Sequence, residues 1–409
     1  MNSAFRVLAL VSLLFSASAV CVAAQEAPSG TDDPSGTARF QWGALRFTPG
    51  IIVSDIGVDS NVFNAAVQPL SDTTMAIGPA VNFWTRASKV RVTGKATGQY
   101  LYFQKYDNQR SWNTSDQLKL ELPLSRFRPF AMGSYMNTRQ RPGFEIDARA
   151  RASTNIAGFG TEFHISGTSA LLLSGTRTTT AFDDKETFLG NELAQALNRR
   201  SDTELLELRY NLTPLTTLVV VSEATQDRFA HEDLRNSDSY AVKPGFQFKP
   251  FALIAGDVSV GYRHFNVLND SVQDFSGVVA AVDARYTMTT STQLTAQVSR
   301  DIAFSYQEQF PYYALTTSAL MLRQRLSSSW DVVARGGLQT LAYGAVTTDP
   351  SNVPFTDHGH FYGVGLGYLI GETLRIGFDA NYYLRKSQEA FRTFNGFRAG
   401  ASVSYGISQ

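Results

Sequence analysis

The chain has 409 residues with 36 basic and 36 acidic side chains, and 43% of its residues are hydrophobic. Balanced charge without a run of Lys or Arg argues against a nucleic-acid partner, because phosphate binding needs a basic surplus. A helical membrane protein would need several apolar stretches of about 20 residues, and only the extreme N-terminus contains one. A composition with 28 Phe, 17 Tyr and 31 Gly is typical of a chain whose residues alternate between lipid and water.

The first 24 residues have the pattern of a secretory signal peptide: a positive residue, a short apolar core, and small residues before a cleavage site between Ala24 and Gln25. A single membrane anchor is the alternative, but no stop-transfer charges follow the core. Cys21, the only cysteine, would be acylated in a lipoprotein, although the residue before it is unfavourable. We therefore expect export, and a mature chain without a disulfide bond or a thiolate metal site.

The mature chain divides into two parts. Residues 25–41 are rich in Pro, Gly, Ser, Thr and Asp, and we expect them to form a disordered periplasmic leader. From residue 42 to 409 the hydrophobic period is two, which is typical of strands whose successive side chains face opposite sides. The segment 374–382, for example, alternates Leu, Ile, Phe, Ala and Tyr with Arg, Gly, Asp and Asn.

Short and long connections alternate along residues 42–409. The short ones lie near 86–88, 125–126, 166–168, 213–214, 249–250, 289–291, 327–329 and 371–372. The long polar loops include 55–73, 139–151, 183–200 and 345–357. Tight periplasmic turns and longer outside loops are typical of bacterial outer-membrane barrels.

The sequence therefore predicts an all-β fold, a transmembrane antiparallel up-and-down β-barrel of about 18 strands, from strands of about 9 to 15 residues that can cross a bilayer at a tilt. Sixteen strands is the alternative, because the phase of 170–182 and of 215–229 is ambiguous. A large soluble β-protein with aromatic cross-strand pairs is the other alternative.

Aromatic residues recur at the expected strand ends, where two girdles would bracket the apolar band of a membrane barrel. Beside short turns lie Phe83, Phe127, Phe248, Trp330 and Tyr368. Near long loops lie Tyr102, Trp112, Phe229, Phe265, Tyr306 and Tyr343.

The polar faces of the predicted strands carry charges that must face a water-filled lumen if the apolar faces meet lipid. The predicted lumen-lining residues are Arg91, Lys95, Lys119, Glu121, Glu207, Arg209, Lys243, Asp257, Arg263, Asp283, Arg285, Arg335, Arg375, Asp379 and Arg398. A barrel of about 18 strands is too wide for side chains to fill, which predicts either an open channel or a plug made by a loop, with 55–73 and 183–200 as candidates. Mixed charges with a slight basic excess do not predict strong ion selectivity. The alternative is that these residues only form salt bridges that support the wall.

Candidate catalytic and metal-binding residues do not form a motif. His358 and His360 beside Asp357 have the spacing of metal ligands on alternate strand positions. They lie at a loop-to-strand junction with no third ligand nearby, so solvated loop residues are the simpler interpretation. We expect no enzyme activity, no catalytic residue, no cofactor and no metal.

Residues 47–53 and 57–63 form a Pro-containing strand followed by an Asp/Asn-rich stretch that ends in an apolar-aromatic pair. This segment resembles the opening of the putative β-barrel porin 2 family of outer-membrane proteins. The matching positions are Pro49, Asp59, Asn61, Val62 and Phe63. The resemblance implies an outer-membrane barrel over nearly the whole mature chain, without defined catalytic residues. Members often lie in exopolysaccharide gene clusters, which implies a role in moving polysaccharide out of the cell.

The sequence is therefore consistent with three alternative functions. The first is a pore in the outer membrane of a Gram-negative bacterium that passes hydrophilic solutes and, by the resemblance, exports an exopolysaccharide. The second is a structural or interaction barrel with a loop-plugged lumen, and the third is an outer-membrane hydrolase, for which no motif argues.

The expected partners follow from the barrel and from the resemblance. They are outer-membrane lipid and lipopolysaccharide, the barrel-insertion machinery and, for polymer export, a periplasmic polysaccharide-export protein, since we find no periplasmic repeat array ahead of the barrel. The final strand, from Phe397, alternates as the insertion machinery requires, although its last residue, Gln409, is not the usual terminal aromatic.

Overall fold

The computed structural model describes residues 38–250, 252–344, 346, 352–371 and 373–406. The predicted signal peptide, its cleavage site and the predicted leader up to residue 37 lie outside the described residues. A short strand, β1 (Phe40–Trp42), pairs with the beginning of β2 (Leu45–Asp59). The last residues of the predicted leader therefore already belong to the sheet.

The wall of the barrel consists of eighteen long antiparallel strands. In addition to β2, these are β3 (Asp72–Ala87), β4 (Val90–Phe103), β5 (Ser111–Glu121), β6 (Phe127–Gln140), β7 (Ala150–His164), β8 (Ser169–Phe182), β11 (Arg199–Thr213), β12 (Thr216–Phe229), β13 (Ser237–Phe248), β14 (Ile254–Val267), β15 (Phe275–Thr287), β16 (Thr292–Phe304), β17 (Tyr312–Arg325), β18 (Trp330–Gly344), β19 (Thr356–Ile370), β20 (Leu374–Lys386) and β21 (Phe394–Tyr405). Because β2 pairs with both β3 and β21, the sheet closes on itself. The predicted barrel and its 18 strands are confirmed, and the two segments of ambiguous phase are β8 and β12.

The long connections contain the remaining elements. Between β8 and β11 lie β9 (Thr187–Phe188), β10 (Asn191–Glu192) and the helix α1 (Leu193–Leu197). Single 3₁₀ turns occupy Asp107–Gln109, Asp233–Arg235 and Ala390–Arg392. Among the described helices, none has the length and apolarity needed to cross a membrane.

Short and long connections lie at opposite ends of the barrel, because each strand reverses the direction of the one before. We call them the turn end and the loop end. Two residues join β11 to β12, whereas nine, residues 141–149, join β6 to β7. The turn end is the end that the sequence predicts to be periplasmic.

Alternation along each strand separates an apolar outer face from a polar inner one. On β11, Leu206, Leu208, Tyr210 and Leu212 are 38–49% exposed, whereas Glu207 between them is 6% exposed. A soluble protein would bury the leucines and expose the glutamate. The exposed apolar face therefore faces lipid, and the polar face lines the interior.

A buried apolar layer fills the interior at the loop end, and we call it the loop-end core. It consists of three hydrophobic clusters whose members come from strand ends and from loops. Its buried residues include Phe182, Phe229, Leu193, Leu197, Phe265, Tyr312, Tyr313, Leu315, Leu341 and Tyr343.

The closing seam between β2 and β21 is shorter than the other joints. Seven residue pairs join these strands, and a bulge interrupts the register between Val53 and Ile56. Asp55, in the bulge, has a φ of 53°. At the loop end of the seam Arg398 Nε donates to Asp59 Oδ2 at 2.7 Å, which ties the two strands together.

Candidate functional site

All fifteen residues predicted to line the lumen lie on barrel strands, on the face opposite the exposed apolar side chains. Cross-strand partners share a face, and the register pairs Arg91 with Glu121 and Asp257 with Asp283. Arg375 and Asp379 alternate with the exposed Ile376 and Phe378. The structure thus points these side chains inward, while their part in transport stays a prediction.

Many of these inward charges are joined in ladders of ion pairs. Arg263 is bound by two carboxylates, Glu223 at 2.7 Å and Asp301 at 2.8 Å, and Glu223 also binds Lys243 at 2.8 Å. The other ladder pairs are Lys119–Glu121, Arg209–Glu162, Arg209–Glu207, Arg335–Asp379, Arg375–Asp331 and Arg398–Asp59. Salt bridges that support the wall, the alternative raised by the sequence, therefore account for part of this set.

A row of glycines on β19 makes room for two of these pairs. A side chain on Gly365 would lie 2.5 Å from Asp379, and one on Gly367 would collide with Arg375. Because the glycines leave the inner surface of β19 bare, long side chains from β18 and β20 lie across it. Arg335 reaches Asp379 at 2.9 Å, and Arg375 reaches Asp331 at 2.8 Å.

The connection between β6 and β7 crosses the interior at the loop end. We call residues 141–149 the plug segment. Its backbone contacts β20, on a distant part of the wall: Arg385 Nη1 donates to the carbonyl oxygens of Phe144 at 2.8 Å and Glu145 at 3.2 Å. The Phe144 ring lies against Gly359 of β19, where a Cβ atom would collide with it.

Arg385 is the central anchor of the plug segment. Neither Arg385 nor Asp357 has any exposed surface, and their Nη2 and Oδ2 atoms are 2.6 Å apart. The guanidinium also lies over the Phe144 ring, 5.2 Å from its centroid. A fully buried charge is tolerated only when it is paired and hydrogen-bonded, so Arg385 ties the plug segment to β19 and β20 together.

Glu145 forms a second anchor. Its carboxylate accepts hydrogen bonds from Ser305 Oγ at 2.6 Å and from the Tyr306 backbone N–H at 3.3 Å, and Arg392 Nη2 donates to its carbonyl oxygen at 2.9 Å. Burial raises the pKa of the Glu145 carboxyl to about 7, against the hydrogen bond from Ser305 and the charge of Arg392. The Glu145 side chain is therefore poised to change charge near neutral pH.

Neighbouring loops hold the remainder of the plug segment. Arg141 Nη2 donates to the Val62 carbonyl at 2.8 Å, and Asn64 Nδ2 donates to the Asp147 carbonyl at 3.2 Å. Ile146 packs in the loop-end core with α1. The two plug candidates named from the sequence, 55–73 and 183–200, thus surround the plug, and the segment that crosses the interior is a third loop, 141–149.

Part of the predicted aromatic girdle at the loop end is wrong. Phe229, Phe265, Tyr306 and Tyr343 are only 3–6% exposed and contribute to the loop-end core or contact it. The strand residues among them, such as Phe229, occupy inward positions, and the loops fold over them and exclude water. Trp112, in contrast, is exposed, as a girdle residue should be.

The candidate metal ligands do not come together. His358 is exposed on the outer face of β19, whereas Asp357 points inward to Arg385. Within the described ranges, no group of three His, Cys, Asp or Glu side chains could hold a metal ion.

A cavity of about 280 Å³ lies beneath the plug segment. Hydroxyl groups from Thr154, Thr178 and Ser201 line one side of it, and the Glu223–Arg263 pair lines another. The cavity is therefore polar and charged where it continues into the ladders.

The barrel, with its lipid-facing apolar band and charged interior, defines the class of this protein as an outer-membrane β-barrel. The model of the family described as putative beta-barrel porin 2 matches residues 40–405. The chain belongs to this porin-like family, which confirms the resemblance read from the first strand and loop.

Several solved barrels are similar in fold. A bacterial polysaccharide outer membrane secretin is 8% identical, with 88% of this chain and 98% of that chain covered and a TM-score of 0.39. OccAB4 of Acinetobacter baumannii is 10% identical, with 88% and 97% covered and a TM-score of 0.45. The outer membrane protein opdK of Pseudomonas aeruginosa is 9% identical, with 88% and 98% covered and a TM-score of 0.46. A comparison with curated proteins gave no match.

Proposed function

We propose that this barrel passes hydrophilic solutes across the outer membrane of a Gram-negative bacterium, and that the plug segment determines when the passage is open. The observation that carries the proposal is the contrast along one lumen: charged ladders line the wall below, and one nine-residue segment crosses the interior above them. Ladders supply the polar surface that a water-filled passage needs. No catalytic step is part of this role.

Within this proposal, the solute is an exopolysaccharide chain moving outward, as the family resemblance implies. The hydroxyl-lined cavity beneath the plug segment supports this, because Thr and Ser hydroxyls both donate and accept hydrogen bonds, as sugar hydroxyls do. A separate periplasmic protein would deliver the chain to the turn end. Export of the barrel itself would depend on the N-terminal signal peptide.

A structural barrel with a permanent plug is the second candidate. The number of buried contacts that hold the plug segment favours it: Arg385, Arg392 and Arg141 all donate to backbone carbonyls of the plug segment or its neighbour. The two candidates differ in one measurable property, the conductance once the plug is removed.

Single-channel conductance in planar bilayers tests both. We would compare the refolded mature chain with a variant in which residues 142–148 are replaced by a short Gly-Ser linker, and with a control in which only the exposed loop tip 67–69 is replaced. We expect large, steady steps from the plug variant and far smaller or rarer steps from the wild type and the control. A plug variant that is folded, as judged by heat-modifiable migration, yet gives no steps would contradict the pore and support the structural barrel.

Oligosaccharides added to the plug variant test the solute. Reversible current block by sugars that enter from the turn end would support saccharide passage. A large pore that oligosaccharides leave unaffected would confine the proposal to small hydrophilic solutes.

A further inference from the structure

Four arginines gather in the lumen near the turn end. Arg323 lies on the inner face of β17, two residues before Arg325, which precedes the turn to β18. The register pairs Arg325 with Asp331 of β18, and it pairs Arg285 with Thr295 of β16, which pairs in turn with Met321, two positions before Arg323 on β17. Arg323 therefore lies among the charges of Asp331, Arg375, Arg285 and Arg325. We call Arg285, Arg323, Arg325 and Arg375 the arginine cluster.

In the part of the chain that the structure describes, the inward carboxylates beside the four arginines are those of Asp331, Asp283 and Asp257, the last being the cross-strand partner of Asp283. Asp331 binds Arg375 at 2.8 Å and is also the cross-strand partner of Arg325. Asp283, on the same face as Arg285, accepts a hydrogen bond from Gln297 at 3.2 Å. In the described part of the chain, Arg285, Arg323 and Arg325 form no ion pair within 4.0 Å, and the Arg323 Nε atom is buried without a hydrogen-bond partner.

Two other arginines of the lumen, in contrast, are fully paired. Arg263 has two carboxylate partners, Glu223 and Asp301, and Arg209 also has two, Glu162 and Glu207. Like charges that lie close together in a partly dehydrated site repel, and a bound anion relieves that repulsion. Guanidinium groups present paired N–H donors that match the two oxygens of a carboxylate or phosphate.

We propose that the arginine cluster binds the carboxylate or phosphate groups of an acidic solute at the turn end of the lumen. This inference rests on the proposed pore and narrows its substrate class from hydrophilic to acidic. The cluster lies at the mouth that a solute from the periplasm would meet first, so it selects acidic solutes before they reach the ladders.

Binding can be measured without transport. The refolded mature chain in a non-ionic detergent is titrated by isothermal calorimetry with a galacturonate hexamer, with tripolyphosphate and with the neutral maltohexaose. We expect both acidic probes to bind and maltohexaose to bind far more weakly, with affinity that falls as salt is raised. The acidic probe with the higher affinity shows whether carboxylate or phosphate is preferred.

Two variants locate the site. Arg285→Gln combined with Arg323→Gln is expected to lose at least about tenfold in affinity for the acidic probes, since each charged hydrogen bond contributes on that scale. Arg300→Gln is the control, because Arg300 lies near the loop end of β16 and bonds to Val278 and Thr316 away from the cluster. Equal affinity in the double variant and the wild type would overturn the site. If the double variant does not fold, Arg323→Lys keeps the charge and is expected to lose several-fold.

The binding and conductance measurements together distinguish failure of the proposed binding site from failure of the proposed pore. If a folded plug variant binds the acidic probes but gives no conductance, the binding site is supported and the pore is contradicted. If the plug variant conducts but does not bind the acidic probes, the pore is supported and the binding site is contradicted.

Discussion

The same strands line both ends of the lumen, but their inward side chains are charged near the turn end and apolar near the loop end. On β18, Asp331 and Arg335 point inward near the turn end and form ion pairs, whereas Leu341 and Tyr343 point inward near the loop end and are buried. The side chains alternate in one unbroken register between them. The two ends differ in their access to water. At the loop end the plug segment and its neighbours fold over the interior and exclude water, so the inner face of the strands becomes part of the loop-end core.

The difference changes what a charge does. At the turn end, Arg375 and Asp331 keep contact with solvent, and such pairs contribute little to stability. At the loop end, Arg385 and Asp357 are fully buried, so each depends on the other. In the proposed function, charges near the turn end act on solutes, whereas the buried charges near the loop end hold the plug segment.

Removing the buried anchor should have the largest effect. Arg385→Ala is expected to lower the free energy of unfolding by about 3–5 kcal/mol, because it leaves Asp357 buried without a partner. It also releases the carbonyls of Phe144 and Glu145, so conductance should rise. Urea-induced unfolding of the barrel and single-channel recording measure the two effects.

A turn-end control and a double variant sharpen this test. Arg335→Ala removes a partly exposed ladder arginine and should cost about 1 kcal/mol or less. Combining Arg385→Met with Asp357→Ala should recover part of the stability while the raised conductance persists. Equal costs for Arg385→Ala and Arg335→Ala would contradict the distinction between the two ends.

Acidification should hold the plug more firmly. The closed state raises the pKa of Glu145 to about 7 from an ordinary value of 4.5, so it binds a proton more tightly than an open, solvated state. Stabilisation of the closed state is therefore complete below about pH 4.5 and is lost as the pH rises through 7. Open probability should rise by at most about tenfold per pH unit across that window.

Other charged groups face Glu145, including Arg235, Arg385 and Arg392. Glu145→Gln isolates the carboxyl, because it keeps the shape and removes the proton exchange. This variant should remain closed at pH 8 and show a flat pH profile. A wild-type profile in Glu145→Gln would assign the pH response to another group.

Replacing a glycine of the β19 row with a larger residue should destabilise the packing near the turn end alone. Gly365→Val would place atoms where Asp379 lies, and should cost about 1–3 kcal/mol through overpacking and the displaced Arg335–Asp379 pair. Gly336→Val, on the outer face of β18, is the matched control, because the nearest atom to its Cβ is 3.4 Å away. Denaturation midpoints of the two variants measure the difference, and equal losses would argue against a specific packing role for the row.

The smallest change in stability is expected for Arg375→Ala. Loss of its pair with Asp331 should cost under about 1 kcal/mol, but removing a cation from the lumen should lower the permeability of the plug variant to chloride relative to potassium. The reversal potential in a salt gradient measures this. An unchanged ratio would show that Arg375 lies outside the ion path.

Sequence periodicity predicted the wall well because a barrel strand is a local pattern. Alternation over residues 374–382 determines which side chains face lipid, and the short turns determine where each strand reverses. The same reasoning pointed the charges of the predicted lumen-lining set to the inner face. Neither the strand pattern nor the direction of the charged side chains depends on information from distant parts of the chain.

The plug and the loop-end core were not predictable in this way. Arg385 and Glu145 are 240 positions apart, and nothing in the local pattern around either links them. Asp357 was grouped with two neighbouring histidines because they are adjacent, yet alternation sends Asp357 inward and His358 outward. Inward apolar side chains near the loop ends of strands, such as Leu341 and Tyr343 of β18 and Phe229 of β12, are the local signal of a dry interior.

The closing seam has a consequence for how the barrel forms. Every other joint of the wall links strands that follow one another along the chain or are separated by a single loop, and β19 and β20 share thirteen residue pairs. The seam links residues such as Asp59 and Arg398, 339 positions apart, through seven pairs. Contacts between such distant residues carry the largest entropy cost of closure. We therefore expect a curved ribbon of hairpins to assemble first and to become a barrel only when β21 meets β2, so that variants at Arg398 slow refolding more than variants within any hairpin.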